Sequence, residues 1–383
     1  MKNLDERTKK MLFLAGGITA LLIVIIIVAL VVGKIKNSSL TYDQIEDKMT
    51  EAAKSYYASR NDQLPINETE EIEVNASLLA SSGYMKELSK IQKDKSVACE
   101  GKVVVTKSGE YYNYSPYLNC GDKYTTTYLY EKVMSGVVSK DDGLYKTEQY
   151  SKKGKQTIYV YRGDFVNNFV SIDDVLWRIV KVNPDFSLML IQEYVDKDNG
   201  YRDSWDNRYN AEKGYNDGIN DYYKSIIRNA IKNYYLSDRL SNSFKSKLVA
   251  TPICVGLRKD NDTSKDGKIE CSTTIEGDYL SLLTAYDFMN ASLSSTCKTI
   301  VDNNCNNYNY LSTYPKTFWL LTASSDTTFQ GYRYSSGISK TRLSSTASAR
   351  LVANITKNSV YVKGSGTAVS YTHLRAHETL RHL

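Results

Sequence analysis

Residues 176–191 read Leu-Trp-Arg-Ile-Val-Lys-Val-Asn-Pro-Asp-Phe-Ser-Leu-Met-Leu-Ile. Two short apolar runs, Leu176–Val182 and Leu188–Ile191, flank the turn-forming cluster Asn183–Ser187. Runs of this length bounded by such residues read as β-strands, not helices. Ile158–Tyr161 (IYVY) and Phe318–Thr322 read the same way, and Ala349–Val362 reads as one or two closing strands. Helical patterns are fewer: Tyr222–Tyr235, after the polar loop Tyr209–Asp221, and a short helix or turn at Leu282–Ala291. All three tryptophans, Trp177, Trp205 and Trp319, fall in this part, which marks the larger core. The expectation is an α+β domain over residues 158–367.

Toward the N-terminus, Ser135–Gln156 is rich in Lys, Gly, Ser and Asp, and residues 129–157 read as a linker. Before it lies a small α+β module, residues 37–128. Thr41-Tyr-Asp-Gln44 has the form of a capping box, and Ile45, Met49, Ala52 and Tyr56 recur at helical spacing to about Ser59. Leu78–Ile91 suggests a second helix. Lys102–Thr106 and Tyr111–Tyr114, joined by Lys-Ser-Gly-Glu, suggest a hairpin. Met11–Gly33 is apolar and uncharged; at about 1.5 Å per residue it spans roughly 34 Å as a helix, enough for a bilayer core. Lys2, Arg7, Lys9 and Lys10 precede it, so residues 1–10 are expected in the cytoplasm and the bulk outside, as in a single-pass signal-anchor protein. The expected fold class is therefore α+β: a transmembrane helix (11–33), a small helix-plus-antiparallel-sheet module, then the larger domain.

The formal net charge of +6 is concentrated at the ends. Between residues 37 and 367 there are 41 basic and 40 acidic residues, so the body offers no basic field for nucleic acid. Six cysteines, all on the expected outer side, read as disulfides. Of fifteen pairings, those between sequence neighbours are favoured: Cys99–Cys120, Cys254–Cys271 and Cys297–Cys305.

A series of landmarks runs through the larger region: Tyr161-Arg-Gly163, Asn167-Asn168, Leu176-Trp-Arg-Ile179, Trp205-Asp-Asn-Arg-Tyr-Asn210, Gly218-Ile-Asn-Asp-Tyr222, Leu282-Leu-Thr284, Trp319-Leu-Leu-Thr322, Arg350-Leu-Val-Ala-Asn354 and Gly364-Ser-Gly-Thr367. Their order resembles a domain of Gram-positive surface proteins, similar in turn to the C-type-lectin-like fold that houses formylglycine-generating enzymes. The helix-and-hairpin module loosely resembles type IV pilins, although the pilin leader pattern is absent. Residues 368–383 depart from the family and resemble a vector- or adapter-derived translation, a non-native tail.

All three histidines lie in that tail, so the remaining chain holds no Ser-His-Asp or Cys-His system. The expected function is non-enzymatic binding or adhesion to glycan or protein at the cell envelope. The alternatives are a structural, pilin-like envelope component and an enzyme of the formylglycine-generating type. Ligand-binding candidates are the loop aromatics Tyr201, Trp205, Tyr209, Tyr215, Tyr308 and Tyr310; for Trp205 and Tyr209 a role as core anchors stands equally. No cofactor is expected, with one calcium candidate. Asp262, Ser264 and Asp266 precede Gly267 in the order of an EF-hand opening, but Thr273 stands where a bidentate acid is wanted.

Overall fold

The computed structural model describes residues 39–193, 202–237 and 239–374. These divide into two compact units: one comprises the chain up to Asp62 with 74–103 and 116–125, the other 63–73, 104–115 and 126 onward.

In the first unit, helix α1 (Tyr42–Ala58) starts with the expected capping box: Thr41 Oγ1 accepts from the Gln44 N–H, and Gln44 Oε1 accepts from the Thr41 N–H at 3.0 Å. Ile45, Met49, Ala52 and Ala53 form its buried stripe. Glu46 is buried with them and accepts from the Tyr124 hydroxyl at 2.8 Å. The stretch expected as one helix over 78–91 is two pieces, α2 (Ala76–Ser81) and α3 (Leu88–Ile91), interrupted where Gly83 takes φ +81°. Strands β1 (Glu71–Asn75), β2 (Glu100–Ser108) and β3 (Tyr111–Asn119), whose residues are divided between the two units, form a sheet in that order. The hairpin turns at Gly109, whose φ of +57° suits glycine, and Cys99–Cys120 closes its open end.

The second unit carries α4 (Leu129–Met134), β4 (Gly143–Ser151), β5 (Gly154–Arg162), β6 (Phe169–Ile172), β7 (Val175–Val182), β8 (Leu188–Gln192) and β9 (Arg202–Ser204). Helices α5 (Ile226–Leu236) and α6 (Asn242–Lys247), strands β10 (Ile253–Cys254), β11 (Thr274–Ile275) and β12 (Leu280–Leu282), and helix α7 (Ala285–Asn290) follow. The closing strands are β13 (Phe318–Ala323), β14 (Gln330–Tyr334), β15 (Ile338–Arg342), β16 (Thr346–Ser348), β17 (Leu351–Ile355), β18 (Tyr361–Lys363) and β19 (Thr372–Leu374). One sheet runs β12-β17-β8-β7-β6-β19-β18, with the β4–β5 hairpin joined to β7; a second runs β15-β14-β13-β16-β9. Every residue of β13 is buried, and Trp177, Trp205 and Trp319 are among the largest fully buried side chains. The β7–β8 turn is closed by Asn183 N–H to Ser187 O at 2.8 Å, with Phe186 at φ +64°.

Three expectations need correction. No helix among the described residues is long and apolar enough to cross a membrane; α1, at 17 residues, is short and amphipathic. Among the described residues the fold class is thus mixed α+β with mostly sheet, and the expected transmembrane helix is not found there. The stretch 11–33 and the tail 1–10 lie outside the described residues. Second, the expected linker 129–157 is structured. Leu129 and Val133 of α4 join the core, and β4 pairs with β5 along nine residues. Its polar composition reflects a hairpin that is half exposed, with Gly154 at φ +90° in the turn. Third, the expected non-native tail contributes an element: Thr372 and Leu374 are buried, and β19 pairs in parallel with β6. Residues 375–383 lie outside the described residues.

Candidate functional site

β7 and β8 slip register between Ile179 and Lys181: Ile179 lies opposite Leu190, but Lys181 lies opposite Met189. Such a bulge locally bends a strand and re-aims its side chains. Here it accompanies a lysine turned into the unit's interior, beside a cavity of about 490 Å³ that opens to solvent. The β4–β5 turn, the Asn183–Asp185 turn and the paired segments around Ile253 and Thr274 wall it; Leu282, Leu321, Lys181 and Asp287 lie deepest.

Lys181 is 2 % exposed, and its ammonium donates to Asp287 Oδ1 at 2.8 Å, Tyr286 Oη at 2.9 Å and Gln149 Oε1 at 3.0 Å. These three contacts use all its N–H groups. Asp287 Oδ2 in turn accepts from Thr284 Oγ1 at 2.6 Å, and Thr284 caps α7 by accepting from the Asp287 N–H. Burial, with Asp287 and Glu270 nearby, pushes the Tyr286 hydroxyl well above the usual phenol range, so it stays protonated. The result is a fixed polar floor under apolar walls that include Ile158, Met189 and Ile253. On one wall, Asn183 Nδ2 donates to Asn354 Oδ1 at 2.8 Å, and Asn354 Nδ2 donates to Thr251 Oγ1 at 2.9 Å.

The loop aromatics do not form one face. Trp205 is 1 % exposed; its indole N–H donates to Leu320 O at 3.1 Å and its ring packs on Tyr222. Tyr310 is fully buried. Both are core residues. Tyr209, Tyr215 and Tyr308 are exposed, and Tyr201 lies outside the described residues. Tyr209 and Tyr215 share one loop through the Asn210–Tyr215 bridge, with the Arg342 guanidinium 6.0 Å from the Tyr215 ring centroid. The loop that carries Tyr308 instead meets the β14–β15 turn, where Asn306 Nδ2 reaches Ser336 O. From Gly337 to Arg342 at about 3.3 Å per residue is roughly 16 Å, so the two aromatic loops serve opposite ends of β15.

At the candidate calcium loop the backbone carbonyls face a guanidinium. Arg258 donates to the carbonyls of Asp262 (3.1 Å) and Ser264 (2.8 Å) and forms a bidentate pair with Glu270, both side chains fully buried. Asp262 Oδ2 accepts from the Lys259 N–H, while Asp266 Oδ1 accepts from Ser264 Oγ and the Lys268 N–H. The carboxylates thus serve separate turns. Among the described residues no group of three or more His, Cys, Asp or Glu could hold a metal. The six cysteines form the three neighbour disulfides expected from their spacing, Cys99–Cys120, Cys254–Cys271 and Cys297–Cys305. They fit an oxidising environment outside the cytosol.

The chain matches no family model, no curated protein and no solved structure. The cavity was missed from sequence because its parts are scattered, but one signal was present: a lysine inside the apolar run Leu176–Val182, where a charge needs a buried partner.

Proposed function

We propose that this is a non-enzymatic ligand-binding protein of an oxidising, extracytosolic compartment, and that its ligand enters the cavity beside Lys181. The observation that carries this reading is the cavity itself. Its volume of about 490 Å³ lies within the roughly 300–1,000 Å³ of small-molecule sites, and mostly apolar walls with a few fixed polar groups are what such sites use. The Lys181–Asp287–Tyr286 floor supports binding over chemistry, because its lysine is already held by three acceptors. The landmarks whose order resembles a domain of Gram-positive surface proteins also favour a binding role at the cell envelope.

The test uses the uncharged fluorophore N-phenyl-1-naphthylamine, which brightens on leaving water. The parent chain should bind it saturably at one site. Met189→Trp and Thr251→Trp each place an indole in the cavity and should abolish binding at little-changed melting temperature. Binding that survives in both folded variants, or no binding by the parent, refutes the cavity as the site.

A further inference from the structure

Resting on that reading, we infer the class of ligand: an uncharged amphiphile, with an aliphatic body and an amide or hydroxyl head. The charges around the cavity are balanced and mostly committed. Lys152, Lys153 and Lys181 face Asp185, Glu276 and Asp287. Lys181 is paired with Asp287 at 2.8 Å and Lys152 with Glu276 at 3.3 Å. Asp185 accepts from the Ser187 N–H at 3.0 Å and the Ser187 hydroxyl at 2.6 Å. Lys153 stands exposed at the β4–β5 turn, where water solvates its charge and an ion pair contributes little. An ionic head deep in the cavity would lose its hydration without gaining a free counter-charge, which is costly. To recruit Lys181 it would have to displace Asp287, Tyr286 or Gln149.

Uncharged groups fare differently. Thr251 Oγ1 accepts from Asn354 Nδ2 and keeps its own hydrogen to donate. Thr274 also lines the cavity, but its hydroxyl oxygen is closed off from the open space and out of a ligand's reach. Thr251 is therefore the head contact. Beside it, Ile158, Met189, Leu282 and Leu321 present the apolar surface for an aliphatic body.

Three probes with the same chain separate the classes: octanamide, octanoate and octylammonium, each below its self-association concentration. Each is titrated against the full chain loaded with N-phenyl-1-naphthylamine. Octanamide should displace the fluorophore at a concentration at least about ten-fold lower than either ion. Thr251→Val and Thr274→Val remove a hydroxyl at nearly constant volume. Thr251→Val should weaken octanamide about three- to ten-fold, whereas Thr274→Val, at the closed-off hydroxyl, should bind it like the parent. If octanoate or octylammonium displaces as well as octanamide, the ligand class is wrong and the cavity reading stands. If Thr251→Val binds octanamide like the parent, the assigned head contact is wrong. A fluorophore that fails to bind the parent, or that the tryptophan variants still bind, removes the cavity reading and the ligand class with it.

Discussion

Replacing Asp287 with Leu leaves the Lys181 ammonium in a site where it is 2 % exposed, facing only the neutral oxygens of Tyr286 and Gln149. Breaking a buried ion pair by removing one partner typically costs about 3–5 kcal/mol. The Thr284 hydroxyl also loses its acceptor, which adds about 1 kcal/mol. Lys181→Met strands the carboxylate instead and should cost a similar amount. The double variant Lys181→Met/Asp287→Leu removes both charges and fills the space with apolar atoms. Such replacements are often neutral or stabilising, so it should lie within about 2 kcal/mol of the parent. The coupling energy between the two positions is then at least about 5 kcal/mol, above the roughly 0.5–3 kcal/mol usual for directly interacting groups. Urea unfolding with the disulfides intact, followed by tryptophan fluorescence, measures it; all three tryptophans lie in the unit that contains the pair. A loss below about 1 kcal/mol in either single variant, or a double variant as damaged as the sum of the singles, refutes the reasoning.

Trp205→Ala should cost about 3–5 kcal/mol as a large core deletion. Tyr308→Gly, which relieves a φ of +52° at an exposed position, should be neutral or stabilising by up to about 1 kcal/mol; the reverse order in urea unfolding would show that the burial argument fails. Added calcium or a chelator should leave the melting curve unchanged, whereas Arg258→Ala should lose about 3–5 kcal/mol by stranding Glu270; a calcium-dependent rise in melting temperature would contradict the guanidinium's role. Burial raises the hydroxyls of Tyr161, Tyr222, Tyr279, Tyr310 and Tyr332, and raises that of Tyr235 to about 12. The folded values lie above the unfolded value of about 10, so their contribution to stability is complete below that pH. It is lost as pH rises through and beyond 10–12, because the unfolded chain then holds fewer protons. A spectrophotometric titration should show the absorbance of these tyrosinates appearing together with unfolding, and their smooth ionisation in a still-folded chain would contradict the burial.

Local signals were legible in the sequence and long-range ones were not. The Thr41–Gln44 capping box, the Asn183–Ser187 turn and the three neighbour disulfides each depend on residues close together in the chain. β4 was hidden because its alternation is polar on an exposed ribbon, and lysines and glycine at its turn imitate a linker. β15 and β16 were hidden by Ser- and Thr-rich composition that carries little apolar period, and β14 by its shortness and its glycine and arginine. At the site, aromatic residues on polar loops suggested a ligand face, yet an indole or phenol ring is also what anchors a loop to a core. Trp205 and Tyr310 took that second role. The cavity draws Lys181, Thr274 and Asp287 from three separate elements and Thr251 from the segment before β10, and no spacing rule links them.

The placement of β17 sets a timetable for folding. It lies between β8 and β12, with Val352 opposite Ile191, partners separated by about 160 residues of chain. During synthesis from the N-terminus at about 5–20 residues per second, the edge of β8 waits roughly 8–32 s for that partner. The edge carries Leu188, Leu190 and Ile191, all buried in the finished sheet, and an uncovered apolar strand edge invites pairing with another chain. The disulfides span only 21, 17 and 8 residues, so their loops can close while β8 is still open. A nascent chain of this protein can therefore be fully oxidised yet still lack the strand that covers β8. In that interval its β8 edge is the surface a chaperone must shield.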